Sequence, residues 1–96
     1  MWIVVYAKMV DDKEKGIKLA GIYLGGASTD KAEAEKIARE CVNTIKGGTI
    51  MPRIYPSSGK QELPRIMDEA NLFFKKKEDQ MVEAAAIIAR PASKKK

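Results

Sequence analysis

The clearest alternation of apolar and polar positions lies between residues 30 and 46. Ala34, Ile37, Ala38, Cys41, Val42 and Ile45 fall at i, i+3, i+4, i+7, i+8 and i+11, one face of an α-helix. Lys31, Glu35, Lys36, Arg39, Glu40 and Lys46 lie off that stripe. Asp30 stands where an N-cap belongs, and Glu33 three residues on completes the pattern of a capping box. Gly47 is a good left-handed terminator. Glycine pairs flank this helix, Gly25-Gly26 before it and Gly47-Gly48 after it, and each pair adjoins a segment that reads as a strand.

Residues 2–10 are rich in β-branched and aromatic types (Trp2, Ile3, Val4, Val5, Tyr6) with little alternation, which predicts a strand with both faces at least partly covered. The polar run 11–16 ends in Gly16 and connects to a second strand over 17–24, so a hairpin is expected. A third strand is expected over 49–55. Pro52 inside it cannot donate to a ladder, which places this strand at an edge or beside a bulge. After a turn at 56–59, residues 63 to about 76 read as a second helix with the stripe Leu63, Ile66, Met67, Ala70, Phe73 and Phe74, and with Leu72 on the opposite side.

The last segment has two readings. Residues 81–89 are apolar apart from Glu83, and Lys75 to Gln80 resembles a break, which favours a buried strand bounded by Pro91. The alanines favour instead one continuous helix over 63–90. The expected fold is therefore α+β, in the order β-β-α-β-α-β: two layers, a mixed sheet of three to four strands, both helices on one face. It forms a single small domain over 1–91, followed by a mobile basic tail over 92–96.

Composition narrows the function more than it defines it. With 96 residues there is room for one domain with a small core. The 45% hydrophobic and 32% charged content is that of a globular chain. No apolar run approaches the ~18 residues of a membrane span, and the apolar start reads as a strand rather than a signal peptide. The single cysteine leaves no internal disulfide, which points to the reducing cytoplasm. The formal charge is +5, but Lys94, Lys95 and Lys96 carry three of those charges.

Candidate chemistry is sparse. The chain has no histidine, the usual base near neutral pH and a common metal ligand. Cys41 lies on the apolar stripe and reads as a core residue. No metal site, cofactor or catalytic constellation is expected. Gly25, Gly26, Ser28, Thr29 and Lys31 precede a helix and offer a place for a small anion, without the spacing of a dinucleotide or P-loop motif. Lys75, Lys76 and Lys77 beside the phenylalanines, Arg53 and Tyr55 on the third strand, Lys60 in the following loop, and the lysines at 94–96 are the candidate nucleic-acid contacts. Leu72 and Phe73 are the candidate partner interface. These features favour a small non-enzymatic binding or adaptor protein, such as an accessory protein of a phage or microbe. It would act through protein contacts, a homodimer included. Nucleic-acid association and binding of a small anion are the alternatives.

Overall fold

A computed structural model describes residues 1–94, with side chains described through residue 86. Strand β1 (Trp2–Asp12) pairs antiparallel with β2 (Gly16–Ser28), helix α1 (Lys31–Thr44) follows, and β3 (Thr49–Pro56) pairs antiparallel with β1 on its other side. A 3-10 turn (Lys60–Glu62) leads into the long helix α2 (Leu63–Lys94). The fold is α+β: a three-stranded antiparallel sheet in the order β2-β1-β3 with two helices.

The unalternating apolar run at the start of β1 has its explanation in this order. Val4, Val5 and Ala7 have no exposed surface because β1 is the middle strand. Successive strand residues point to opposite faces. Ile3, Val5 and Ala7 pack with Tyr55 and with Ile66, Ala70 and Phe74 of α2. Val4 packs with Ala34 and Ala38 of α1, joined by Trp2, Ile37 and Ile54. The helices therefore lie on opposite faces of the sheet, making three layers, and not together on one face as the sequence reading had it. A middle strand apolar on both sides needs a helix on each.

The last segment belongs to α2, so the sheet has three strands and the single long helix is the form adopted. Residues 75–80 do not break it. Phe74 and Glu78 are buried one turn apart, and Lys77 is half-buried. The helix runs antiparallel to β2, with Glu78 against Leu19 and Ala85 against Gly16. Its backbone reaches Lys94, so the basic tail expected from residue 92 begins inside the helix; Lys95 and Lys96 lie outside the described residues.

Local details follow the side chains. Asp30 caps α1, its Oδ1 accepting from the Ala32 N–H at 3.3 Å. The capping box does not form as expected, since the Asp30 N–H donates to Ser28 Oγ at 3.0 Å instead of to Glu33. Helix α1 ends at Thr44, and Gly47 takes the left-handed conformation at φ 94° in the loop beyond it. Among the described residues no helix is long and apolar enough to cross a membrane.

Candidate binding surface

A three-stranded sheet has two edges, and each edge strand turns half of its backbone N–H and C=O groups away from its neighbour. Which half can be worked out from one pair. The Met1 amino group donates to the Ser57 carbonyl at 2.9 Å, and the Ser57 N–H donates to the Met1 carbonyl at 2.7 Å. This is a hydrogen-bonded antiparallel pair, and such pairs recur at every second residue. The β1–β3 register runs from Trp2↔Pro56 to Met9↔Thr49 without a shift. The odd-numbered residues of β3 therefore bond to β1, and Ile50, Pro52, Ile54 and Pro56 face outward. Two of those four have no N–H, so β3 offers outward donors only from Ile50 and Ile54. Proline at outward positions is a common way to blunt a sheet edge.

The same count on the other side of β1 leaves its even-numbered residues facing β2. Their partners are Gly26 for Val4, Tyr23 for Tyr6 and Gly21 for Lys8, with register shifts that leave Gly25 and Ala20 as extra residues on β2. Leu19, Ile22, Leu24 and Ala27 then face outward. Leu19 bears this out, because its N–H donates to Glu78 Oε2 of α2 at 2.7 Å. Glu78 is the one buried charged residue among those described, at 5% exposure. That hydrogen bond holds its carboxyl below the usual carboxylate range against the opposing effect of burial, with help from Lys75, whose Nζ lies 3.5 Å away, and from Lys15. Glu78 thus closes the β2 edge at Leu19.

Between the two bulges the edge stays open. No hydrogen bond is made by the outward N–H of Ile22 or Leu24 among the described residues. Tyr23 and Leu24 are 44% and 50% exposed. Tyr23 stacks on Tyr6 with centroids 5.3 Å apart on the α1 face, while Leu24 projects on the α2 face. Residues 21–24 are therefore a short length of unpaired strand bordered by apolar side chains. The sequence marked only the other edge, through Pro52 on the third strand, because the exposure of each edge depends on pairings that no local pattern reveals. The adjacent exposed Tyr23 and Leu24 were the one available signal.

The remaining sequence candidates are dispersed. Gly25 and Gly26 lie inside β2 rather than in a loop before α1. A Cβ on Gly25 would meet Cys41 Sγ at 3.0 Å, and one on Gly26 would meet Ile37 at 3.0 Å, so these glycines let α1 approach the sheet. Ser28 and Asp30 bond to backbone at the helix start, and the Lys31 ammonium sits over Trp2 at 5.1 Å. The Asp30 carboxylate thus occupies the position an anion would take, and Thr29 is exposed beside it. Burial and the nearby Glu40 push the Cys41 thiol above its ordinary pKa, as befits a core cysteine.

Arg53, Tyr55 and Phe73 do come together. The Arg53 guanidinium stacks on Phe73 at 4.0 Å and lies 5.3 Å from the Tyr55 ring. Tyr55 is buried with no hydrogen-bond partner for its hydroxyl; burial raises its pKa, and Arg53 opposes the rise. Both aromatic rings are thus already occupied by protein. Lys60 and Lys76 are exposed, Lys77 is half-buried and Lys75 pairs with Glu78, so the lysines form no stripe with that cluster. Leu72 is 74% exposed on α2, and Phe73 is half-buried. A shallow notch of ≈ 270 Å³ opens between Met9, Ile17 and Gly48, with no convergent ionisable cluster beyond Asp11. Among the described residues no group of three or more His, Cys, Asp or Glu side chains is placed to hold a metal ion. Comparison with family models, with curated proteins and with solved structures gives no match.

Proposed function

We propose that this chain is a small non-enzymatic binding protein that takes an extended backbone segment of a protein partner along the open edge of β2. The observation that carries this is the contrast between the edges. Prolines remove alternate donors from β3, and Glu78 closes β2 at Leu19, yet the outward groups of Ile22 and Leu24 remain unpaired beside exposed Tyr23 and Leu24. Strand addition draws affinity from main-chain hydrogen bonds and specificity from the alternate side chains beside them. The short window limits how much a bare peptide gains, which suits a weak or composite contact.

Selection of displayed strand-length peptides against the protein tests this reading. Leu24→Pro removes an outward donor without touching the ladder to β1. Peptides bound by the wild-type protein lose binding to Leu24→Pro and keep it with Pro52→Ala, which leaves β2 intact. Peptides that bind Leu24→Pro as well as the wild type overturn the reading.

A further inference from the structure

We infer that the occupant of the β2 edge is a second copy of this chain, paired antiparallel about a two-fold axis through Tyr23. The inference rests on the reading of the β2 edge above and adds the identity of the partner. Ile22 and Leu24 lie one residue either side of Tyr23, and both turn N–H and C=O outward. A two-fold axis at Tyr23 sets Ile22 of each chain against Leu24 of the other, and each such pair exchanges both of its hydrogen bonds. The two sheets then become one, and the open edges of both copies disappear.

Any extended segment could make those bonds. Helix α2 supplies what a peptide lacks. It lies along β2 in the opposite direction, with Ala85 at Gly16 and Glu78 at Leu19. Those contacts span three strand residues and seven helical ones, about 10 Å by either rise. Leu19 and Tyr23 pair with Met9 and Tyr6, three residues apart on β1 because of the bulge at Ala20, so continuing to Tyr23 uses roughly another 10 Å, or about seven helical residues, which reaches the turn holding Asn71 and Leu72.

At that level Asp68, Asn71, Leu72 and Lys75 stand at i, i+3, i+4 and i+7, a single exposed stripe. On the helix they turn toward the β2 side, the side of Glu78 and away from Phe73, which faces β3. The stripe is complementary to itself when reversed. Asp68 at one end meets Lys75 of the other copy, and the turn holding Asn71 and Leu72 meets the same turn of the other copy in the middle, Asn71 of each facing Leu72 of the other. Asp68 makes no ion pair among the described residues, and Lys75, although its Nζ lies 3.5 Å from Glu78, keeps 66% of its side chain exposed and open to a second carboxylate. One axis thus serves the strand and the helix together. It also gives Leu72, the most exposed of the large apolar side chains described, a partner.

Light scattering behind a sizing column, at roughly 100 µM chain, reads the mass directly. The wild-type protein has the mass of two chains. Leu24→Pro, which acts on the strand, and Asp68→Lys, which acts on the helix and leaves the sheet alone, each return it to one chain. Circular dichroism of Asp68→Lys stays that of the folded protein. In Tyr23→Cys the introduced thiols of two copies cross-link on mild oxidation, because a non-hydrogen-bonded antiparallel pair holds its Cα atoms within disulfide range. A one-chain wild-type mass, or a dimer that survives both substitutions, overturns the inference. A one-chain mass combined with peptide binding that Leu24→Pro abolishes overturns the second copy as occupant and leaves strand addition on β2 standing.

Discussion

Replacing Glu78 offers the sharpest test of how α2 and the sheet are joined. Its carboxylate accepts the Leu19 N–H at 2.7 Å and faces Lys75 Nζ at 3.5 Å from a position that is 5% exposed. A hydrogen bond to a charged group contributes about 1.5–3 kcal/mol, and removing the acceptor also leaves the Leu19 N–H without its partner. Glu78→Ala is therefore expected to cost about 2 kcal/mol, a large share of the stability of a domain this small. At about 4–8 °C per kcal/mol, Tm falls by roughly 8–16 °C. Glu78→Gln keeps an acceptor oxygen and loses only the charge, so it costs less than Ala.

The dependence on pH separates the charge from the packing. The folded state holds the Glu78 carboxyl below its ordinary pKa, so the unfolded chain binds that proton more readily. Its contribution is complete above the unfolded value of about 4.3 and is lost as pH falls through the lower folded value. The gap between wild type and Glu78→Gln in urea unfolding should narrow as pH drops from 7 toward 3. Glu62 is also held low, by the Ser58 N–H and hydroxyl, but it is present in both proteins and cancels. A Glu78→Ala protein within about 0.5 kcal/mol of wild type, or a gap to Gln that is the same at both pH values, refutes this account of the contact.

Three further outcomes are expected. Gly48→Ala should destabilise by about 2 kcal/mol or more in urea unfolding, because its Cβ would enter the Met9 carbonyl oxygen, which is backbone and cannot move aside cheaply. Cys41, 8% exposed and with its thiol pKa raised, should react with iodoacetamide in the native state far more slowly than in urea, followed by mass spectrometry. Any affinity for duplex DNA should be weak, fall steeply with salt near about 0.15 M, and largely vanish when Lys94, Lys95 and Lys96 are removed, as read by fluorescence anisotropy.

Much of the fold was legible because its signals are local. The stripe Ala34, Ala38 and Cys41 and the Asp30 cap are patterns within one element, and Pro52 marked an edge strand, whereas Val42 on the same stripe is 45% exposed, Ile45 lies just past the helix, and Gly25 and Gly26 belong to β2. The layering was legible too, although it was misread. The run Ile3, Val4, Val5 is apolar on both faces of β1, and that calls for a helix on each side. Lys75 to Gln80 looked like a break because the run is polar and Lys77 falls on the apolar stripe, yet in the structure Lys77 is half-buried and the buried polar residue is Glu78. Its partner, the Leu19 N–H, is 59 residues away in the chain. The binding surface was not legible for the same reason. Whether the amides of Ile22 and Leu24 face solvent depends on the register fixed by Met1 and Ser57 and on bulges at Ala20 and Gly25, none of which shows in local periodicity. Leu72 was recognisable as exposed, but only the course of α2 along β2 connects it with Tyr23.

Residue-resolved amide hydrogen exchange at two protein concentrations tests the central claim most directly. In dilute protein, Gly21, Tyr23 and Leu19 should be protected, the first two by β1 and the third by Glu78, while Ile22 and Leu24 between them exchange quickly. At high concentration Ile22 and Leu24 should become protected as the edge is filled. Protection of Ile22 and Leu24 already in dilute protein would contradict the open edge, and fast exchange at both concentrations would contradict its pairing with a second copy.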